Sequence, residues 1–232
     1  RGDQTVTSLW EAAGGWSADL DVDSNIPIGA GLSSSAALCV AIVMCSQNTV
    51  DPMEISLEAQ RIENHVLRSN CGLMDQISVT HSKEGLATLL DFSKMSIESF
   101  RMPDDWRFKL VDTGIRRSLS ETNYSSSEIK IETRRIHAKE ESARVRTALS
   151  SDARALGSIL NESHASISDN IRASTPEIDN MVKEIQSTAG VLGARLMGGG
   201  FGGMILALVE EEDALPGELL VSSAPAFLQE TL

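Results

Sequence analysis

The chain has 232 residues with 33 acidic and 20 basic side chains, which gives a formal net charge of −13 at pH 7. A surface this negative repels a phosphate backbone and argues against nucleic acid as a partner, so an anionic ligand would need a local binding device. The longest apolar run, residues 36–45, is too short to cross a bilayer, and we expect no membrane partner.

Hydrophobic periodicity predicts helices interleaved with strands, the pattern of an α+β or α/β protein. In chain order, it predicts a strand at 18–22, an apolar helix at 36–45, a capped amphipathic helix at 53–69, strands at 84–92 and 107–113, helices at 128–149 and 177–190, and a strand at 204–213. The polar stretch "RMPDDW" (101–106) contains a proline, and we place a domain boundary there, with domains at 1–103 and 104–232.

The cysteines and the first residues bear on the cellular compartment. Cys39, Cys45 and Cys71 are odd in number and have no metal-like spacing, which favours free thiols in a reducing compartment. No signal-peptide pattern opens the chain, so we expect a cytoplasmic protein. The four histidines are scattered without ligand spacing, which argues against a transition-metal site.

Residues 26–45, "IPIGAGLSSSAALCVAIVMC", place two glycines and three serines directly before the apolar helix. The first amides of a helix lack internal partners and carry the positive end of its dipole, so this position can bind an anion. Gly29 and Gly31 let the backbone approach a ligand, and serine hydroxyls can ligate Mg²⁺. A tight turn with a serine cap explains the same residues equally well. The stretch is neither a Walker A loop nor a dinucleotide fingerprint.

A second glycine cluster, "GGGFGG", occupies residues 198–203. A hairpin needs one or two glycines, and each further one costs about 0.5–1 kcal/mol of chain entropy. We therefore predict that the backbone packs closely against something here, with a glycine-padded turn as the alternative.

Two acidic residues lie where chemistry is plausible. Asp75 follows Cys71 and Gly72 among apolar neighbours, and Glu63 lies twelve residues earlier on the preceding helix. Near a nucleotide, one carboxylate can ligate Mg²⁺ and a second can accept a proton from an attacking hydroxyl. Taken singly, each acid is explained as well by a cap or a surface charge.

Three stretches in this order resemble the galacto-, homoserine, mevalonate and phosphomevalonate (GHMP) kinase superfamily: "PIGAGLSSSAAL" (27–38), "ENHVLRSNCGLMDQIS" (63–78) and "GARLMGGGFGG" (193–203). Within it, "GLMDQ" favours galactokinases over mevalonate and homoserine kinases. The resemblance covers residues 17–209. It implies a two-domain α+β GHMP kinase fold, with an N-terminal half like domain 2 of ribosomal protein S5 and a ferredoxin-like C-terminal half.

The resemblance further implies an enzyme that phosphorylates the anomeric hydroxyl of galactose or a related monosaccharide with Mg-ATP. Asp75 matches the catalytic base, Gly72 and Tyr124 match further sugar contacts, and Glu63 with Ser34 or Ser35 matches the Mg²⁺ ligands. The residues implied to bind ATP are Pro27, Gly29, Ala30, Gly31, Leu32, Ser33, Ser34, Ser35 and Ala36. Arg116 or Arg117 could add positive charge, although a solvated face explains them better.

The chain also departs from the galactokinase pattern. It has no counterpart of the "GRVNLIGEHTDY"-like run that opens those enzymes and supplies several sugar contacts, so we expect it to be truncated at its N-terminus. A non-catalytic nucleotide-binding or sensor protein, or an inactive fragment, therefore remains an alternative. A mevalonate-type kinase predicts basic groups around the acceptor, and "NCGLMDQ" contains none.

Overall fold

The structure is a computed structural model that describes residues 4–116 and 131–229. The described residues form two compact units. The first contains residues 4–28, 33–102 and 221–229, and the second contains residues 29–32, 103–116 and 131–220. The predicted domain division between residues 103 and 104 stays a prediction.

The first unit consists of helices and one hairpin. Its elements are α1 (Gln4–Ala12), α2 (Ser34–Ser46), α3 (Pro52–Ile62), a π-helical turn (Glu63–Leu67), α4 (Met74–His81), and the antiparallel strands β1 (Leu86–Asp91) and β2 (Ser96–Arg101). As predicted, α2 is a core helix, because apolar side chains surround it. The predicted start of α3 is also confirmed: the Asp51 carboxylate accepts hydrogen bonds from the amides of Met53 and Glu54, and Pro52 takes the first helical position.

The second unit consists of three helices and a three-stranded sheet. Its elements are β3 (Arg107–Asp112), α5 (Ile131–Ala148), α6 (Ala153–Asp169), α7 (Pro176–Gln186), β4 (Val191–Leu196), β5 (Met204–Val209) and a 3₁₀ turn (Glu212–Ala214). The sheet is antiparallel in the order β3-β5-β4, and α6 and α7 pack on β4. The core lies at β5, where Ile205, Ala207 and Leu208 are fully buried.

One predicted strand is wrong. Residues 18–22 alternate apolar and acidic side chains, yet they form no strand, and Leu20 and Val22 are 41% and 50% exposed. Alternation favours a strand only where a neighbouring strand can accept and donate its backbone hydrogen bonds. No described residue pairs with this segment.

The predicted helix at 53–69 ends as an α-helix at Ile62 and continues as the π-helical turn. Such turns are rare and occur frequently at functional sites. None of the helices in the described residues is long and apolar enough to span a membrane.

Candidate active site

The first functional feature is the start of α2. Ser33 precedes the helix with a left-handed backbone (φ 57°), and its carbonyl accepts a hydrogen bond from the amide of Ala37. The Ser33 side chain makes no capping hydrogen bond, which disfavours the serine-cap explanation of this sequence. The amides of Ser34, Ser35 and Ala36 make no hydrogen bond to another described residue. They remain available as donors at the positive end of a 13-residue helix.

The second feature lies in the other unit, where the glycine cluster packs against backbone as predicted. Residues 29–32 lie against it: a β-carbon on Gly203 would come within 2.6 Å of the Ala30 carbonyl oxygen, and one on Gly198 within 3.5 Å of Gly31. A β-carbon on Gly202 would stand 2.7 Å from the Ile115 carbonyl oxygen. The approaches at Gly202 and Gly203 leave no room for a β-carbon, whereas the contact at Gly198 is an ordinary van der Waals distance.

Glu63 lies at the centre of the first unit's polar site. It begins the π-helical turn and is 3% exposed. The Ser35 hydroxyl donates to its Oε1 at 2.7 Å, and the Gln76 amide donates to its Oε2 at 2.6 Å. Of the three residues that the resemblance implies as Mg²⁺ ligands, Ser34, Ser35 and Glu63, the structure joins Ser35 and Glu63 through a direct hydrogen bond.

Asp75 lies in the first turn of α4 and is partly buried. Gly72, its predicted companion in sugar binding, is exposed and has open space around its α-carbon. The preceding residue, Cys71, is fixed by Asn64, whose side-chain oxygen accepts the Cys71 amide at 2.7 Å. The segment that leads to Asp75 is therefore held by a hydrogen bond to the π-helical turn that contains Glu63.

The three cysteines are free thiols, as predicted. Cys39 is buried, Cys71 is partly buried and Cys45 is exposed. Burial raises the pKa of the Cys39 thiol to about 12, and the neighbouring Glu63 carboxylate acts in the same direction. Cys39 is thus a neutral core side chain at physiological pH.

Arg116 is paired within its own unit. Arg116 forms an ion pair with Asp112, with 2.5 Å between Nη2 and Oδ2, on the surface of the second unit. Its guanidinium group lowers the pKa of Asp112 to about 2. This supports the solvated-face explanation of Arg116. Arg117 and Tyr124 lie outside the described residues.

The residues present fit a magnesium ion. Glu63 is a buried carboxylate whose two described partners are neutral donors, so a cation at this position would compensate its charge. Within residues 4–116 and 131–229, no three His, Cys, Asp or Glu side chains form a group that could hold a metal. Magnesium suits such a place, because it is usually bound through one or two carboxylates, water and substrate phosphates.

Gln76 is the residue that sequence reasoning missed. It is completely buried, directly follows Asp75, and bonds the carboxylate thirteen residues before it. The sequence did offer a signal for Gln76, because it is a polar residue directly beside the predicted base and next to apolar residues.

Comparison with known proteins identifies both parts of the chain. The family described as the GHMP kinase N-terminal domain matches residues 4–83, and the GHMP kinase C-terminal family matches residues 145–216. Together these matches cover more than half of the chain.

Solved structures show the same fold. A Lactococcus lactis galactokinase in complex with galactose is 22% identical, with a TM-score of 0.68, covering 97% of this chain and 77% of its own. A mevalonate kinase is 22% identical, with a TM-score of 0.60, and the match covers 83% of this chain and 61% of the mevalonate kinase. The Methanococcus jannaschii mevalonate kinase is 20% identical, with a TM-score of 0.56, and the match covers 81% of this chain and 59% of that kinase. The chain therefore spans about three quarters of the galactokinase and about three fifths of these mevalonate kinases, and the predicted two-domain α+β fold class is confirmed.

Proposed function

The chain belongs to the GHMP kinase family, and from this premise we propose that it transfers the γ-phosphoryl group of Mg-ATP to the anomeric hydroxyl of galactose or a related monosaccharide. Asp75 is the proposed base, and residues 27–36 are the proposed phosphate-binding loop.

A single chain of hydrogen bonds carries this proposal. Ser35 bonds Glu63, and Glu63 bonds Gln76, the residue next to Asp75. Hydrogen bonds of 2.7 and 2.6 Å thus connect Ser35 of the proposed phosphate loop, through the proposed metal ligand Glu63, to the helix that carries the proposed base. Phosphoryl transfer depends mainly on positioning and on charge stabilisation, and this arrangement supplies both.

Each group has a defined part in the reaction. The free amides at the start of α2 donate to the phosphate oxygens, where the helix dipole favours negative charge. Ser35 and Glu63 would hold Mg²⁺, which would supply positive charge to neutralise the charge that develops on the phosphates. Asp75 accepts the proton of the sugar hydroxyl while that oxygen bonds to the γ-phosphorus. The bond from phosphorus to the bridging oxygen breaks, and ADP carries the electron pair away.

The residues next to Asp75 along the chain support a neutral acceptor. Residues 71–76 contain no basic side chain, and α4 has His81 as its only basic residue, in its last turn. An acceptor that carries a carboxylate or phosphate would need a cation to offset its desolvation. A sugar hydroxyl needs only hydrogen-bond partners.

The test is an acceptor panel with the purified chain. Mg-ATP is incubated with galactose, mevalonate or homoserine, and ADP release is measured with phosphorus NMR of the product. We expect galactose or a close relative to stimulate ADP release and to yield an anomeric phosphate. Turnover with mevalonate or homoserine alone would contradict the acceptor class. Nucleotide binding without turnover on any acceptor would favour the non-catalytic alternative.

Gly203 provides a test of the glycine cluster. Its φ of 94° disfavours a side chain, and a methyl group would press on the Ala30 carbonyl at 2.6 Å. Overpacking of this kind costs about 1–3 kcal/mol, so Gly203→Ala should displace residues 29–32 and weaken binding of a non-hydrolysable ATP analogue about tenfold. Isothermal titration measures the affinity.

Gly217 is the matched control for Gly203. It has a similar φ of 90°, but a β-carbon there meets nothing within 4 Å. Gly217→Ala therefore adds comparable backbone strain without touching residues 29–32, and its analogue affinity should equal that of the wild type. Equal affinities in both variants would show that the glycine cluster does not support the phosphate loop.

A further inference from the structure

The amide of Gln76 is bonded in an unusual way. The side chain is 0% exposed, and its Nε2 donates to Glu63 Oε2 at 2.6 Å and lies 3.5 Å from the Cys71 sulfur. Its Oε1 is buried and has no hydrogen-bond partner in the described residues. An unpaired buried acceptor is costly and calls for an explanation. The Nε2 group already has two partners, so its hydrogen bond to the Glu63 carboxylate sets the orientation of the side chain and leaves Oε1 without a donor.

Glu63 is held by one neutral donor on each oxygen. Ser35 bonds Oε1 and Gln76 bonds Oε2, so the carboxylate cannot rotate without breaking one of these hydrogen bonds. Neither donor carries a charge, so the negative charge of Glu63 stays available for a cation. The carboxylate is therefore held in orientation without being neutralised.

Other side chains at position 76 would fail for separate reasons. A lysine or arginine would neutralise Glu63 and compete with a metal for it. A second carboxylate would repel Glu63 unless the pair shared a proton. An apolar side chain would leave Oε2 buried without a donor. Glutamine supplies a donor without charge.

We propose that Gln76 is a positioning residue for magnesium: its amide locks the Glu63 carboxylate in the orientation that binds the metal and links it to the helix of Asp75. This inference rests on the proposed function, because it presumes that Glu63 and Ser35 hold the Mg²⁺ of Mg-ATP. Groups that orient a metal ligand usually change metal affinity about 10- to 100-fold when removed.

The test measures how binding of the β,γ-imido analogue of ATP depends on MgCl₂, by isothermal titration. Gln76→Met keeps the length of the side chain and removes the donor. We expect the half-saturating Mg²⁺ concentration to rise at least about tenfold, with the affinity for the analogue in the absence of Mg²⁺ unchanged. A residue with a purely structural role would change both affinities or neither.

Gln47 provides the matched control in the same unit. Like Gln76, it donates a side-chain amide hydrogen bond to a glutamate, here from Nε2 to the Glu58 carboxylate at 3.1 Å. Gln47→Met should leave the Mg²⁺ dependence of analogue binding as it is in the wild type. An equal rise in both variants would overturn the proposal.

Gln76→Asn gives a second readout that does not depend on how well Gln76→Met folds. It keeps a neutral amide but is shorter by one methylene group, so its donor falls short of Glu63 Oε2. The half-saturating Mg²⁺ concentration should again rise at least about tenfold, with the affinity for the analogue in the absence of Mg²⁺ unchanged. A Mg²⁺ dependence equal to that of the wild type in both variants would overturn the proposal.

Two failures are distinguishable. If the wild type needs Mg²⁺ to bind the analogue and Gln76→Met responds identically, the role of Gln76 is overturned and the proposed function stands. If binding to the wild type ignores Mg²⁺, the metal site itself is overturned, and the proposed function and this inference fail together.

Discussion

Replacing Asp75 with asparagine is expected to lower phosphoryl transfer to the sugar by about 10²- to 10⁴-fold, the usual contribution of a general base. Asparagine has nearly the same shape as aspartate but cannot accept the proton of the hydroxyl. The affinity for the non-hydrolysable ATP analogue should change less than about twofold, because the amides proposed to bind phosphate belong to α2 and not to α4. Steady-state turnover with the best acceptor of the panel, together with titration of the analogue, measures both quantities.

Asp91→Asn is the control for the loss of one negative charge. Asp91 ends β1 in the same unit, and its Oδ1 accepts the amide of Ser93, a hydrogen bond that asparagine can also accept. Its turnover should match that of the wild type. An Asp75→Asn protein that keeps more than about a fifth of the wild-type turnover would remove Asp75 from the role of base.

Gly193→Val is expected to destabilise the second unit by about 3 kcal/mol or more, a large part of the 5–15 kcal/mol that stabilises a typical domain. Gly193 on β4 and Gly157 on α6 face each other with backbone against backbone. A β-carbon on Gly193 would lie 2.0 Å from the carbonyl oxygen of Gly157, and one on Gly157 would lie 2.3 Å from the carbonyl oxygen of Leu192. A valine can be accommodated only if the helix moves away from the sheet. Urea unfolding followed by circular dichroism measures the loss.

Gly114→Ala controls for backbone strain in that unit. Gly114 has a φ of 69°, and a β-carbon there meets nothing within 4 Å. Its substitution should cost only the left-handed penalty of about 1–2 kcal/mol. If Gly193→Val were no less stable than Gly114→Ala, the close approach of α6 to β4 would be contradicted.

The sequence predicted the features that depend on neighbouring residues. The apolar run of α2 and the Asp51-Pro52 start of α3 are local signals, since a helix closes its hydrogen bonds within four residues. The order of three short motifs was also sufficient to predict the family and the fold class. Each of these depends on residue types at fixed spacing along the chain.

Signals that need a distant partner were read only in part: the strands at 107–113 and 204–213 were predicted, but not that they pair with each other. Residues 18–22 have the alternation of a strand, but a strand forms only where another segment satisfies its backbone, and no described segment does so. The sequence indicated that the glycine cluster packs against something, but not that Gly203 faces Ala30, 173 residues earlier in the chain.

The sequence by itself thus determined the helices with strong caps or apolar faces, the family and the residue types that a phosphate, a metal and a proton require. Only the tertiary structure decided that Ser35, Glu63 and Gln76 meet in one hydrogen-bonded chain. The physical reason is that a buried carboxylate needs hydrogen-bond donors, and these come from residues that are distant in the sequence. Core packing, and not the spacing of residues along the chain, brings the three helical segments together.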